Sequence, residues 1–154
     1  MEFSHLDSNG QAIMVNIALK PVVKRTAVAY GKVLLQKNTL ELLEANLLKK
    51  GDALTVAKIA AIAGAKKTAA LIPLCHNINL EHVAVEFTKA ADGVEIQSAV
   101  TACDKTGVEM EALTAVAIAA LTIYHMCKAV DKTMRITEIH LLEKKKEEPE
   151  HERI

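Results

Sequence analysis

The stretch from Lys105 to Lys128 constrains the fold more than any other part of this sequence. Its first turn is acidic and its far end is basic, which is the distribution of charge that the dipole of an α-helix favours. No charged residue occurs between Ala112 and Tyr124. The pattern predicts a helix from about Val108 to about Val130. Because it has no charged face and falls short of the roughly 20 apolar residues that span a membrane, we expect a core helix buried on all sides.

The polar residues of this helix lie on one face but at opposite ends. Glu111 and His125 belong to the same stripe of three- and four-residue steps. At 1.5 Å per residue they are nevertheless about 21 Å apart, too far for one small ligand to contact both on the same helix. If both belong to one small-molecule site, a second copy of the chain must bring the two ends together. The spacing therefore predicts an oligomer with shared sites.

The composition favours one domain whose core is built from Ala, Val, Leu and Ile. Of the 154 residues 51% are hydrophobic, but only 3% are aromatic, so the core buries little area per residue and gains from oligomerisation. The 19 basic residues balance the 19 acidic ones, which does not favour nucleic-acid or membrane partners. Three cysteines without a CxxC pair argue against a disulfide framework or a zinc knuckle. With no signal peptide in view, we expect a cytoplasmic protein.

The other segments predict an α+β fold with a mainly antiparallel sheet and helices packed on one face. The predicted elements are a possible short strand at 14–17, a strand at 25–36 with a bulge at Gly31, helices at 39–48 and 52–71, hairpin strands at 80–89 and 94–103, and a last strand at 134–142. The domain then comprises residues 1–142. The charged run 143–154 cannot bury enough surface to order itself, and we expect a mobile tail.

Two short stretches are candidates for chemistry, although neither is specific alone. Cys75-His76 follows Pro73 at a helix-to-strand junction. A buried thiol beside a hydrogen-bonded imidazole is favoured there over a Cys-His catalytic pair, because adjacent side chains rarely align for proton transfer, and over a metal site, which needs further ligands. Lys49-Lys50-Gly51-Asp52 is either a solvated turn or an anion contact at the start of a helix.

Three segments considered together resemble the family of molybdenum cofactor biosynthesis protein C, cyclic pyranopterin monophosphate synthase. These segments are Leu-Ile-Pro-Leu-Cys-His at 71–76, Lys-Thr-Gly-Val-Glu-Met-Glu-Ala-Leu-Thr at 105–114, and Leu-Thr-Ile-Tyr followed by Met-Cys-Lys-Ala-Val between 121 and 130. The likeness extends from about His5 to Leu142. It implies a ferredoxin-like fold, a homohexamer built from dimers, active sites at the dimer interface, and no cofactor or metal.

The resemblance also implies a reaction. The substrate would be (8S)-3',8-cyclo-7,8-dihydroguanosine 5'-triphosphate, supplied by a radical-SAM GTP cyclase. A lyase of this family converts it to cyclic pyranopterin monophosphate and releases pyrophosphate. The residues that match the family's substrate-binding positions are Leu74, Cys75, His76, Met110 and Glu111. Lys50 and Lys128 match lysines with acid/base and phosphate-facing roles, and Arg25 and Lys144 match basic positions that hold the triphosphate.

The chain departs from the family pattern at several positions. His125 stands where the family has its active-site Asp, so we expect this chain to catalyse the reaction more slowly than a chain with Asp at that position. Asn16 and Asn77 replace the usual Asp and Pro, and 144–147 replaces a Gly-rich tail. One alternative is a family member that binds the nucleotide or a partner without efficient turnover. A purely structural assembly module is another, but it would not explain why Lys50, His76, Glu111 and Lys128 match together.

Overall fold

The computed structural model describes residues 5–46, 48 and 51–148. Its strands are β1 (Val23–Leu34), β2 (His82–Ala90), β3 (Gly93–Asp104) and β4 (Arg135–Glu147), and its helices are α1 (Lys37–Glu44), α2 (Ala53–Lys66), α3 (Thr68–Leu71) and α4 (Glu109–Cys127). The strands form one sheet in the order β2-β3-β1-β4, and all neighbours are antiparallel. A strand, helices, a hairpin, a helix and a strand in this sheet order make a ferredoxin-like arrangement. The predicted α+β class is confirmed.

Helix α4 lies across the middle of the sheet. The buried side chains of β1 and β3 alternate along each strand, so one face of the sheet is apolar and packs against the helices. At Gly31 the helix comes so close that an added Cβ would lie 2.5 Å from Cγ1 of Val116. The register between β1 and β4 shifts between Tyr30 and Lys32, which confirms the bulge predicted at Gly31. Ser98 Oγ of β3 donates a hydrogen bond to the Ala112 carbonyl at 2.7 Å and fixes the start of α4.

Helix α2 packs beside α4 through small residues. Ala57, Ala61 and Gly64 are buried, and a Cβ at Gly64 would lie 2.7 Å from Cγ1 of Ile118. The helix predicted at 52–71 is divided, because α2 ends at Lys66 and the single turn of α3 follows. Asp52 caps α2 by accepting a hydrogen bond from the Thr55 amide at 3.0 Å.

The expectation that α4 is buried on all sides is wrong for a single chain. Its inner side is fully buried, but Leu121 is 55% exposed and Tyr124 is 36% exposed. The expectation that α4 is too short to span a membrane is also wrong, since its 19 residues are long and apolar enough to cross one. Half of its 18-residue apolar stretch is buried within the fold, as in the core helix of a sheet-based domain. One face of α4 is thus apolar and not covered by the described part of the chain.

The two ends of the chain differ from the prediction. Between residues 12 and 17 there is no strand, only a bridge that pairs Leu6 with Ala12. Strand β4 does not end near Leu142 but continues to Glu147, because the backbone of 143–147 pairs with β1 from Val28 to Lys24. Hydrogen bonding to a neighbouring strand orders these charged residues without burying them. Residues 149–154 lie outside the described part of the chain.

Candidate active site

A cationic cavity of about 290 Å³ opens at the N-terminal end of α4. It is lined by Arg25 and Thr26 of β1, by Gly107, Val108 and Glu109 at the start of the helix, and by Lys144, Lys145 and Lys146 of β4. The register explains this grouping, since Arg25 pairs with Lys146 and Ala27 pairs with Lys144. No side chain among the described residues caps this helix terminus. Basic side chains beside uncapped helical amides form a binding site for a phosphate group.

Arg25 is the most buried cation of this cavity. Its Nε atom is buried and has no hydrogen-bond partner among the described residues. A buried donor that stays unpaired costs about 1–3 kcal/mol. Such groups are rare in folded proteins and call for an explanation. Arg25 is therefore suited to bind an acceptor that the rest of the chain does not supply.

A second cavity of about 140 Å³ adjoins the first. The two share Gly107 and Glu109. The second is lined by His5, Cys75, His76, Ile78, Thr106, Gly107, Glu109, Met110 and Glu111. The structure thus brings together four of the residues that the resemblance selected, from the loop before β2 and from the first turn of α4. Leu74 is partly buried next to Cys75 and lines neither cavity.

Glu111 is the buried acid of the second cavity, with only 3% of its surface exposed. Burial raises the pKa of Glu111 to about 6, and the nearby charges of Glu109 and Asp104 add to this rise. Burial likewise raises the pKa of the Cys75 thiol, with a further contribution from Glu111. Cys75 is therefore a neutral thiol near pH 7, not an activated nucleophile. Glu111 can act as a hydrogen-bond acceptor or exchange a proton near neutral pH.

The N-terminal segment lies against the second cavity. His76 Nε2 donates a hydrogen bond to the Val15 carbonyl at 2.7 Å, and Lys105 Nζ donates one to the Ala18 carbonyl at 2.8 Å. The bond to Val15 places the proton of a neutral His76 on Nε2 and leaves Nδ1 as the acceptor. These contacts hold the segment in place so that His5 reaches the cavity wall.

The two residues predicted near the end of α4 are not part of this group. His125 and Lys128 are exposed, and the Lys128 amide ends the helix with a hydrogen bond to the Tyr124 carbonyl at 2.9 Å. At 1.5 Å per residue, Lys128 is about 25 Å along the helix from Glu111. A single chain therefore does not bring these residues to the two cavities. Lys50, the other predicted lysine, lies outside the described residues.

Asp131 occupies a buried position just beyond Lys128, with 1% of its surface exposed. Oδ2 accepts hydrogen bonds from the Gln36 amide at 2.9 Å and from Thr39 Oγ1 at 3.1 Å. Oδ1 accepts from the amide and the hydroxyl of Thr133, both at 2.9 Å. Burial alone would raise the pKa of Asp131, but these hydrogen bonds lower it below its ordinary value. Asp131 thus ties the end of α4 to the connection between β1 and α1.

Sequence reasoning missed several residues of the cavities. The sequence places Glu109 only in the acidic first turn of the predicted helix, and it places Lys145 and Lys146 in the predicted tail. The signal that could have found the lysines is the pairing of β4 with β1, which places 144–146 beside Arg25. Glu109 had a weaker signal, its place two residues before Glu111. His5 had no local signal, because it reaches the cavity through an irregular segment.

Comparison with known proteins gives a consistent result. The sequence model of the MoaC family matches residues 14–147. The cyclic pyranopterin monophosphate synthase of Chloroflexus aurantiacus is 55% identical over 146 residues, which are 94% of this chain and 90% of that protein. The synthase of Natranaerobius thermophilus is 49% identical over 145 residues, 93% of this chain and 91% of that protein. A molybdenum cofactor biosynthesis bifunctional protein of Chlorobaculum tepidum is 50% identical over 141 residues, 92% of this chain and 45% of that protein.

Proposed function

The chain belongs to the MoaC family, and from this premise we propose that it is a lyase of molybdenum cofactor biosynthesis. It converts (8S)-3',8-cyclo-7,8-dihydroguanosine 5'-triphosphate to cyclic pyranopterin monophosphate and releases pyrophosphate. The observation that supports this proposal most is the adjacency of the two cavities at the start of α4. One is cationic and suits a triphosphate, and the other contains a buried carboxyl group and suits a polar ring.

We assign the binding of the substrate to the residues around these cavities. Arg25 and Lys144 hold the phosphates, and Lys146 pairs with Arg25 in the sheet and adds to the positive potential. Glu111 accepts hydrogen bonds from the guanine-like edge, and His76 offers Nδ1 as a further acceptor. Cys75, Met110 and the neighbouring Leu74 provide the apolar wall against the ring. A departing pyrophosphate needs fixed cations, and the first cavity provides them.

We assign the proton transfers to residues that a second copy of the chain contributes. Lys128 and His125 lie too far from Glu111 within one chain to act on the same substrate. The resemblance adds Lys50 to these proton-transferring residues. The helices supply an apolar surface on which a second copy could pack, since Val56 and Ile59 of α2 and Leu121 and Tyr124 of α4 are exposed. The proposed assembly is a homohexamer built from dimers with shared sites.

The cellular setting belongs to the same proposal. A radical-SAM GTP cyclase supplies the substrate, and the protein works in the cytoplasm. Its three cysteines are free thiols, which suits a reducing compartment. Because His125 replaces the family's active-site Asp, the rate of turnover is lower than that of a chain with Asp at this position.

The test is a reaction with the product of a radical-SAM GTP cyclase. The purified protein is mixed with this nucleotide, and both a pterin and pyrophosphate are measured, with Lys128→Ala as the inactive control. We expect equal amounts of the two products. Tight binding of the nucleotide without pyrophosphate release would instead identify a family member that binds but does not turn over its substrate.

A further inference from the structure

Glu109 lies between the two cavities and lines both of them. Among the described residues that line the cationic cavity, it is the only acid. Its Oε1 atom is 3.5 Å from Nζ of Lys144, and 31% of the Glu109 side chain and 70% of the Lys144 side chain are exposed. The carboxylate thus pairs with a cation that the proposed function assigns to the phosphates.

The position of this carboxylate depends on Gly107. The side chain of Glu109 folds back over Gly107 so closely that a Cβ at residue 107 would collide with the carboxylate oxygens. The backbone of Gly107 does not require a positive φ, so the close approach of Glu109 is the constraint at this position. The absence of a side chain at residue 107 therefore provides the space that the carboxylate occupies.

Two other cations of the cavity differ in how they are paired. Lys145 pairs with Glu143 at 2.9 Å on its own strand, and Nε of Arg25 has no hydrogen-bond partner among the described residues. A phosphate group that enters the cavity meets Arg25 directly but must compete with Glu109 for Lys144. A phosphate also brings negative charge close to the Glu109 carboxylate, and the two repel each other.

From this geometry we propose that Glu109 is a built-in competitor of phosphate. Its carboxylate pairs with Lys144 when no phosphate is bound, moves aside when the triphosphate enters, and returns to Lys144 when the product leaves. The result is weaker retention of pyrophosphate, which carries more charge for its size than the cyclic monophosphate. The assignment of pyrophosphate as a product rests on the proposed function, whereas the competition for Lys144 does not.

The inference is tested by titrating sodium pyrophosphate into the full-length protein in a calorimeter. Glu109→Gln keeps the shape of the side chain and removes its charge, and Gly107→Ala displaces the carboxylate but keeps the charge. Because exposed ion pairs contribute modestly, we expect both variants to bind pyrophosphate about three- to tenfold more tightly. Glu44→Gln is the matched control, since it also removes one negative charge and breaks a 2.6 Å ion pair with Lys89, but on α1 and β2. Its affinity should equal that of the unmodified chain.

A gain in affinity separates this role from a structural one, because a distorted cavity would bind pyrophosphate less tightly. Equal or weaker binding by Glu109→Gln, with circular dichroism unchanged, would overturn the inference. An equal gain in Glu44→Gln would also overturn it, since the effect would then come from net charge. The titration needs no turnover, so a chain that binds pyrophosphate as expected but makes no pterin would refute the proposed function and leave the role of Glu109 standing.

Discussion

The two ends of α4 contain charged groups in opposite states. At the N-terminal end, Arg25 has a buried nitrogen without a hydrogen-bond partner among the described residues, and the buried Glu111 has a raised pKa. At the C-terminal end, the buried Asp131 accepts four hydrogen bonds and has a lowered pKa. Both ends bury charged groups, but the Arg25 nitrogen at the first end lacks a partner among the described residues, whereas both carboxylate oxygens of Asp131 at the second end have partners.

This difference distinguishes a group that is suited to bind a ligand from a group that stabilises the fold. A buried charge with a complete set of internal partners stabilises the fold, whereas one that lacks partners is suited to a ligand. By this criterion the N-terminal end of α4 is the end suited to a ligand, which supports the proposed binding site. Asp131 instead anchors the terminus that presents Lys128 at the surface. In the proposed function, the proton-transferring groups and the binding groups belong to different ends of one helix and meet only between two chains.

The largest effect should come from Lys128→Ala. We expect turnover to fall by about 10²- to 10⁴-fold, because the proposed function assigns proton transfer to Lys128. Binding of the nucleotide and the circular dichroism spectrum should stay close to normal, since Lys128 is exposed and outside the core. The measurement is steady-state kinetics with the cyclised nucleotide. A near-normal rate would remove Lys128 from the site.

Sharing between chains can be tested with the same variant. By the proposed function, Lys128→Ala and Arg25→Ala are each expected to be inactive, but if the sites are shared, one of the two sites in a mixed dimer contains neither substitution. Unfolding and refolding the two together should restore about a quarter of the normal activity, as random pairing in a two-fold dimer predicts. If the mixture stays inactive while refolded normal protein recovers, the sites are not shared in this way.

A smaller but still large effect is expected from Asp131→Ala, this time on stability. The substitution leaves the hydroxyl of the buried Thr39 and the amide of Gln36 without their acceptor. We expect a loss of about 2–4 kcal/mol in the free energy of unfolding, measured by urea denaturation. Asp52→Ala is the comparison, because Asp52 is an exposed cap of α2 and its loss should cost clearly less free energy of unfolding. Equal losses would mean that burial does not distinguish the two carboxylates.

Much of the fold could be predicted because the signals were local. The uncharged run of α4 and the two hairpin strands predicted at 80–89 and 94–103 each depend on neighbouring residues. The extent of β4 could not be predicted from its own composition, since the lysines of 144–146 are ordered by backbone pairing with β1. The roles of Glu109 and Asp131 depend on partners far away in the sequence or on the fold of a loop. A pattern in one segment does not contain that information.

His125→Asp should produce an intermediate effect at the C-terminal end of α4. Asp at this position lies three residues before Lys128 on the same helix face and gives that lysine a fixed anionic neighbour. We expect the rate to rise about tenfold or more, a part of the range typical of one proton-transfer group. A negative charge near a helix C-terminus is unfavourable, so stability should fall by about 0.3–1 kcal/mol. Single-turnover assays and urea denaturation of both forms provide the two measurements.

The opposite result would be equally informative. If His125→Asp were no faster than the unmodified chain from about pH 6 to pH 9, this protein would use its histidine in place of the family's Asp. The change in stability alone would then remain, which would mark residue 125 as part of the helix terminus and not of the site.

The smallest effect concerns Glu111 and the pH dependence of stability. Its pKa is about 6 in the fold and near 4.5 in the unfolded chain. As pH rises through this interval the unfolded chain loses its proton first, so the folded chain binds more protons and its stability relative to the unfolded chain falls. Above about pH 6 the loss is complete. Because the carboxyl group lines an open cavity, we expect a loss of about 1 kcal/mol, less than a shift of this size would give in a sealed interior.

Glu111→Gln does not titrate, so its free energy of unfolding relative to the unmodified chain should rise by that amount between about pH 4.5 and pH 6.5 and stay constant above. Urea denaturation at several pH values measures this difference and cancels the other carboxylates. A constant difference across the whole interval would show that Glu111 titrates as it does in the unfolded chain, and the N-terminal end of α4 would then lose one of the two features that distinguish it, the raised pKa of Glu111, and keep only the unpaired nitrogen of Arg25.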